Sequence, residues 1–386
     1  MSADIQIPSM MKIGGDAVVG LPDVLSSLGI HKPFIIADPI MRELGVVDTI
    51  QSMLTKLNID AQVFSEVMPE PDDTSIAGAV DLVKSAQADG LVAIGGGSAI
   101  DSAKAIALLA THGGSMRDYK VPMVIKQRSI PVVAIPTTAG TGSEATRVTV
   151  ISDNKSSEKM LCMGPGLLPT AAIIDYKLTL SVPFRVAADT GLDALTHAIE
   201  AYVSKKANPF SDQQAISAMR LISQHIRTAC SKPNDLGAKE AMMLGASLAG
   251  IAFSNASVAL VHGMSRPLGV HFHVPHGMSN AMLLPAITQF SLAGDRQRYA
   301  ECALHMGLVN DTDDIDGCHV ALIGFLQDLN RELKVPKMSE FGIQRKEYMS
   351  LVESMAEQAL ASGSPANNPL VPDKAALETL YRQIYS

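Results

Sequence analysis

Five of the ten histidines in this 386-residue chain fall in two short segments, each with a spacing that suits a metal. In GLDALTHAIEAY (191–202), Asp193 and His197 stand four residues apart, on one face of a helix. In VHGMSRPLGVHFHVPHG (261–277), His262, His271, His273 and His276 follow within fifteen residues, and His276 comes just after a proline, where a new helix can open. One carboxylate with three imidazoles makes a compact N/O donor set, suited to Fe2+ or Zn2+ rather than to Mg2+ or Ca2+. The competing reading is a surface ion pair for Asp193 and His197, with core or pH-sensing histidines elsewhere. A metal so held can act as a Lewis acid on a substrate oxygen. No GxSxG motif or Ser–His–Asp set argues for a hydrolase.

Two small-residue loops suit a dinucleotide. Gly95-Gly96-Gly97-Ser98 stands where the apolar run GLVAI gives way to a helical pattern, so backbone and helix N–H groups can approach a phosphate. Ser98-Ala99-Ile100-Asp101 has capping-box spacing, with Ser98 as cap and Asp101 answering it. The plain alternative is a tight strand-to-helix turn, since GxGxxG is absent. Asp38, at the end of PFIIAD, is an acid suited to a ribose hydroxyl and hostile to a 2′-phosphate, which favours NAD over NADP. The second loop, Thr137-Thr138-Ala139-Gly140-Thr141-Gly142-Ser143-Glu144, offers hydroxyls and N–H groups to the same pyrophosphate or to a ribose, the alternative being a surface turn.

The elements that must hold these residues follow a simple order. Strand patterns at 33–38, 61–67, 90–97, 129–136, 148–152 and 171–176 alternate at first with helical patterns at 42–57, 74–87 and from Ser98, which predicts a largely parallel sheet. Beyond Val182-Pro183 the pattern turns helical, most clearly over 187–204, 211–230, 237–255, 276–291 and 315–331. The fold class is therefore α/β plus all-α: an α/β nucleotide domain over 1–184, then a helical metal-binding domain over 185–386. The stretch 363–373 is loop-like, with a short helix after it. Phe253, Thr149 and residues 271–273 are the expected pocket lining, although core packing explains Phe253 equally well.

Bulk properties narrow the function. Apolar residues make up 47% and charged residues 18%, a globular composition. A net charge of -8, 4% aromatics and no Trp argue against a nucleic-acid partner. No basic and apolar leader is visible at the start, and stretches such as 246–261 are too short and polar for a membrane span. Cys162, Cys230, Cys302 and Cys318 are scattered without a CxxC pair, which fits a reducing, cytoplasmic setting.

Together, IGGGSAIDSAKAIA (94–107), IPTTAGTGSEAT (135–146), AAIIDYKLT (171–179), GLDALTHAIEAYVS (191–204), and GIAFSN, VHGMSRPLG and VPHG within 250–277 resemble the iron-containing (group III) alcohol dehydrogenases. The closest likeness is to the lactaldehyde reductase and 1,3-propanediol dehydrogenase branch, and it spans nearly the whole chain. The resemblance implies a Rossmann-like first domain and a helical second one. It implies Asp193, His197, His262 and His276 as metal ligands. It places cofactor contacts at Asp38, Gly96, Gly97, Ser98, Thr137, Thr138, Thr141 and Lys159. It further implies NAD, Fe2+ with Zn2+ as the alternative, a small alcohol or aldehyde substrate, and a homodimer.

Three sites depart from that pattern. Arg266 stands where the family commonly has a histidine assigned to proton relay, and arginine stays protonated at neutral pH. The proton then leaves through His271, His273 or water, which makes His273 and Arg266 the catalytic candidates. Arg266 either holds an anionic substrate group or anchors a cofactor phosphate or local carboxylate. Glu70 replaces a common Asn near the adenine end, and Asp175-Tyr176 replaces a common Asp-Pro. The expected activity is NAD(H)-linked interconversion of a small primary alcohol or diol and its aldehyde. The alternatives are a zinc-dependent polyol dehydrogenase, a reductase of acidic aldehydes held by Arg266, a metal-free maleylacetate reductase, which the intact ligand set opposes, and a silent nucleotide-binding protein.

Overall fold

The computed structural model describes residues 3–155 and 158–385 of the chain. By packing it divides into two compact units, one of Gln6–Ser181 and one that runs from Val182 onward and includes the short stretch before Gln6.

In the first unit the strands are β1 (Met10–Ile13), β2 (Pro33–Ala37), β3 (Gln62–Phe64), β4 (Gly90–Gly95), β5 (Val132–Pro136), β6 (Val148–Ser152), β7 (Lys159–Met163) and β8 (Ala171–Ile174). The helices between them are α1 (Leu21–Ser27), α2 (Pro39–Glu43), α3 (Val46–Thr55), α4 (Asp73–Ser85), α5 (Gly97–His112) and α6 (Met116–Tyr119). Among the described residues, six strands form a parallel sheet in the order β1-β8-β5-β4-β2-β3. Its central strands are buried on both faces, which is why PFIIA and GLVAIG carry almost no polar residues. Successive side chains serve opposite cores: Phe34, Ile36, Leu91 and Ala93 pack with α4 and α5, and Ile35, Ala37, Val92 and Ile94 with α1 and α3.

The chain runs from β2 outward to β3 and then returns to place β4 on the other side of β2. Sheets of this kind bind ligands at the carboxyl ends of the strands where the order reverses, here β2 and β4. Asp38 and the glycine turn end those two strands. The place of the reversal explains why the glycines do not follow the first strand of the chain.

Several expectations change here. The helix expected over 42–57 is split into α2 and α3. VTVIS forms β6, but it pairs antiparallel with β7 in a separate ribbon outside the parallel sheet. The edge strand β1 and strand β7 were not expected at all. The capping box at Ser98 does not form: Gly96 is the N-cap of α5, and a glycine has no side chain to cap with. The Ser98 hydroxyl donates to the Pro69 carbonyl instead, and Asp101 is committed to Ser143, Val150 and Lys104.

The second unit holds α7 (Phe184–Val203), α8 (Pro209–Ser231), α9 (Leu236–Asn255), α10 (Leu260–Phe272), α11 (His276–Ser291), α12 (Arg296–His305), α13 (Ile315–Glu332), α14 (Arg345–Ala361) and α15 (Lys374–Ile384). Helices α7, α8, α9, α11 and α13 meet the expected spans to within three residues at either end. α7 is buried from Gly191 to Val203 and packs against α8, α9 and α11. α9 is long and apolar enough to cross a membrane by length and composition, but it lies against α7 and α8 with most of its length buried, as a core helix does. α10 was missed: Gly263, Pro267 and Gly269 argue against a helix, yet Leu260–Phe272 forms one with Pro267 inside.

Candidate functional site

The second unit gathers a donor cluster from three helices. Asp193 and His197 lie one turn apart on α7, His262 is in the first turn of α10, and His276 is the first residue of α11. From Asp193 Oδ1 the Nε2 atoms of His262, His276 and His197 are 3.5, 3.7 and 3.9 Å away. One donor atom from each of the four residues lies within 4.8 Å of all the others. Bonds of about 2.1 Å to a tetrahedral ion would separate donors by roughly 3.4 Å. The four residues therefore fit a transition-metal ion in both donor type and spacing.

Local packing explains how the helices converge. A Cβ on Gly277 would lie 2.4 Å from the Asp189 carbonyl oxygen, so α11 can begin against the backbone of α7 only with glycine there. That close approach sets His276 beside Asp193, one turn further along α7. Phe253 of α9 stacks on the His197 ring, with centroids 4.2 Å apart. The His197 and His262 rings stack in turn at 4.5 Å.

Glu200 escaped the sequence reading. Buried on α7, it accepts from the backbone N–H of Ala259 at 2.8 Å and of Val261 at 2.5 Å, and its Oε2 lies 2.7 Å from His262 Nδ1. One carboxylate thus caps the start of α10 and holds the His262 ring with Nε2 turned toward Asp193. Its signal was present in sequence: three residues after His197 and seven after Asp193, it lies on the ligand face of α7. Asn280, fully buried on α11, donates to Asp193 Oδ1 at 2.7 Å.

The electrostatics follow from this crowding. Burial raises the pKa of the Asp193 carboxyl, but the three imidazoles around it outweigh burial and hold it well below the usual range. Burial lowers that of His262, but Asp193 and Glu200 push it up to about 9.

Other expected site residues take different places. His271 turns Nε2 to Gln358 Oε1 of α14 at 3.0 Å, and His273 ends α10 exposed, in a left-handed conformation with φ 53°. Neither belongs to the converging donors. Thr149 is fully buried and its hydroxyl donates to the Asp101 carbonyl, so it packs the interior of the first unit and lines no open pocket.

The first unit brings its two loops together. Thr137 N donates to the Gly95 carbonyl at 3.0 Å. A Cβ on Gly97 would meet Thr141 Cγ2 at 2.9 Å, so the glycine turn and the threonine loop abut. Asp38 Oδ2 accepts from Gly96 N at 3.1 Å, joining the ends of β2 and β4. Burial pushes the Asp38 carboxyl up to about 6, against the opposing pull of the Gly96 N–H. Lys159 pairs with Glu70 at 3.0 Å, next to Pro69, whose carbonyl takes the Ser98 hydroxyl. Beneath the threonine loop, buried Lys104 donates to Ser143 Oγ, Thr146 Oγ1 and the Val148 carbonyl, fastening the loop to α5.

Comparison with known proteins agrees with this division. Residues 8–176 match the family model for iron-containing alcohol dehydrogenase, and residues 187–385 match that for the C-terminal part of the Fe-containing alcohol dehydrogenase family. The chain is 33% identical to 1,3-propanediol dehydrogenase of Citrobacter freundii over 99% of this chain and 98% of that one. It is 34% identical to the NAD-dependent methanol dehydrogenase of Bacillus methanolicus, covering 93% and 94% of the two. A crystal structure of 1,3-propanediol oxidoreductase superposes with a TM-score of 0.95 at 32% identity, covering all of both chains.

Proposed function

Because the chain belongs to the iron-containing alcohol dehydrogenase family, we propose that it interconverts a small primary alcohol or diol and its aldehyde with NAD(H) and Fe2+. The observation that carries this reading is the convergence of Asp193, His197, His262 and His276 within 4.8 Å. A bound ion supplies Lewis-acid polarisation of the substrate oxygen. The chain's own residues prepare for that chemistry. Glu200 fixes the His262 ring, Asn280 orients the Asp193 carboxylate, and Phe253 covers one face of His197.

For the cofactor, Gly96, Gly97 and Ser98 at the start of α5 receive the pyrophosphate, with Thr137, Thr138 and Thr141 closing the cradle. Asp38 takes a ribose hydroxyl and disfavours a 2′-phosphate, and Lys159 stands at the rim. The first unit is thus the dinucleotide domain and the second the metal domain. The chain works as a homodimer, as the family resemblance implies. It works in the cytoplasm, in keeping with four buried, unpaired cysteines.

The test is NADH oxidation against glycolaldehyde, lactaldehyde and propanal with iron-loaded protein. Turnover with NADH at least about tenfold better than with NADPH is expected. A folded, iron-loaded protein that binds NADH and reduces none of them would overturn the proposal.

A further inference from the structure

Arg266 lies one helical turn beyond His262 on the same face of α10, part-buried among its neighbours. It forms no hydrogen bond or ion pair with any described residue. The opposite charge that acts on it is Glu200, and that carboxylate is already taken up by Ala259 N, Val261 N and His262 Nδ1. Burial pulls the guanidinium pKa down, with Glu200 opposing, yet an arginine stays charged at any physiological pH. A part-buried cation with no counter-charge beside it has lost some of its hydration, and a bound anion compensates that loss. A guanidinium also offers the planar fork that fits a carboxylate, sulfonate or phosphonate.

From these observations we propose that Arg266 is a specificity-determining residue that receives the anionic tail of a short aldehyde substrate. This rests on the oxidoreductase reading above and names its substrate class. Residues four apart on a helix lie about 6 Å apart at their Cβ atoms. An aldehyde with its carbonyl turned to the Asp193–His262 cluster would therefore reach Arg266 with an acid group two to four carbons away. In the reaction, hydride passes from NADH to the carbonyl carbon and the oxygen takes a proton from water. The aldehyde is reduced, NADH is oxidised to NAD+, and Arg266 stays protonated throughout. A cofactor phosphate offers the same oxyanion chemistry, and the test separates the two.

The test compares succinate semialdehyde with butanal, matched in carbon number, on iron-loaded wild type, Arg266→Gln and Arg266→Lys. Wild type is expected to favour the anion by about tenfold or more in kcat/KM, a ratio that Arg266→Gln collapses and Arg266→Lys partly restores. Binding of 4-hydroxybutyrate to the enzyme–NADH complex, followed by NADH fluorescence, should weaken in parallel in Arg266→Gln. An unchanged ratio overturns the proposal. So does an equal loss on both aldehydes with weakened NADH binding, which would assign the guanidinium to a cofactor phosphate. If no aldehyde is reduced, the oxidoreductase reading fails, and 4-hydroxybutyrate binding alone still decides the anion site.

Discussion

His262 serves as a ligand only with Nε2 turned inward and the other ring nitrogen held, and Glu200 supplies that hold while capping the same helix. Outer carboxylates of this kind fix both the tautomer and the ring orientation of a metal-binding histidine. Glu200→Gln should therefore weaken metal binding by about 10–100-fold in a chelator competition. Wild-type affinity in that variant would refute the role. Asp38 carries a pH prediction. Its carboxyl is raised from 3.8 to about 6 by burial, so ionising it is harder folded than unfolded. Stability from this group is greatest below about pH 4, falls as the pH rises toward 6 and stays low above that. Asp38→Asn should therefore stabilise the protein at about pH 8, the gain vanishing near pH 4, while narrowing the preference for NAD over NADP. In wild type that preference should itself shrink as the pH falls through about 6. An unaltered NAD-to-NADP affinity ratio in Asp38→Asn would sink the assignment. The four converging donors were legible in sequence because one acid and several histidines at helical spacing are a distinctive chemical set. Glu200 shows its helical spacing from Asp193 and His197 but not its role, and Asn280 shows neither, because the partners that give each its role arrive from another helix.

Helices bring these residues together, and glycine sets the tightest of their contacts. Gly277→Ala places a Cβ against the Asp189 carbonyl, so α11 must shift off α7 and carry His276 away from Asp193. The expected result is a loss of iron content together with a lowered Tm, read by metal analysis and thermal unfolding of the same sample. Full iron occupancy in Gly277→Ala would show that the helix contact does not position the ligand. α10 illustrates where sequence periodicity runs out. Pro267 and two glycines speak against a helix locally, and packing overrides them: Gly263 lies against Pro365 and the buried Glu200 caps the helix start. In the sheet, the long buried runs of β2, β4 and β5 were plain, whereas β1 has four residues, none of them buried, and β7 pairs with β6 and bridges the 120–125 segment outside the parallel sheet.

For the whole molecule, each unit brings one half of the proposed chemistry: a parallel sheet with the glycine turn and the proposed phosphate site at its reversal between β2 and β4, and a helical bundle that gathers four donors. The two-part organisation was legible in the change from alternating to helical patterns. What the pattern hid was the separate β6–β7 ribbon and the fastening of the threonine loop by Lys104, both made of contacts remote in sequence. The central claim is that these four donors hold the working metal of a nicotinamide-linked aldehyde reductase. Its most direct test is an anaerobic titration of Fe2+ into chelator-stripped protein while NADH oxidation with propanal is followed. The account predicts that stripped protein is inactive, that activity climbs to a break at about one ion per chain, and that Asp193→Ala shows no such rise. Equal turnover in stripped and iron-loaded protein would contradict it.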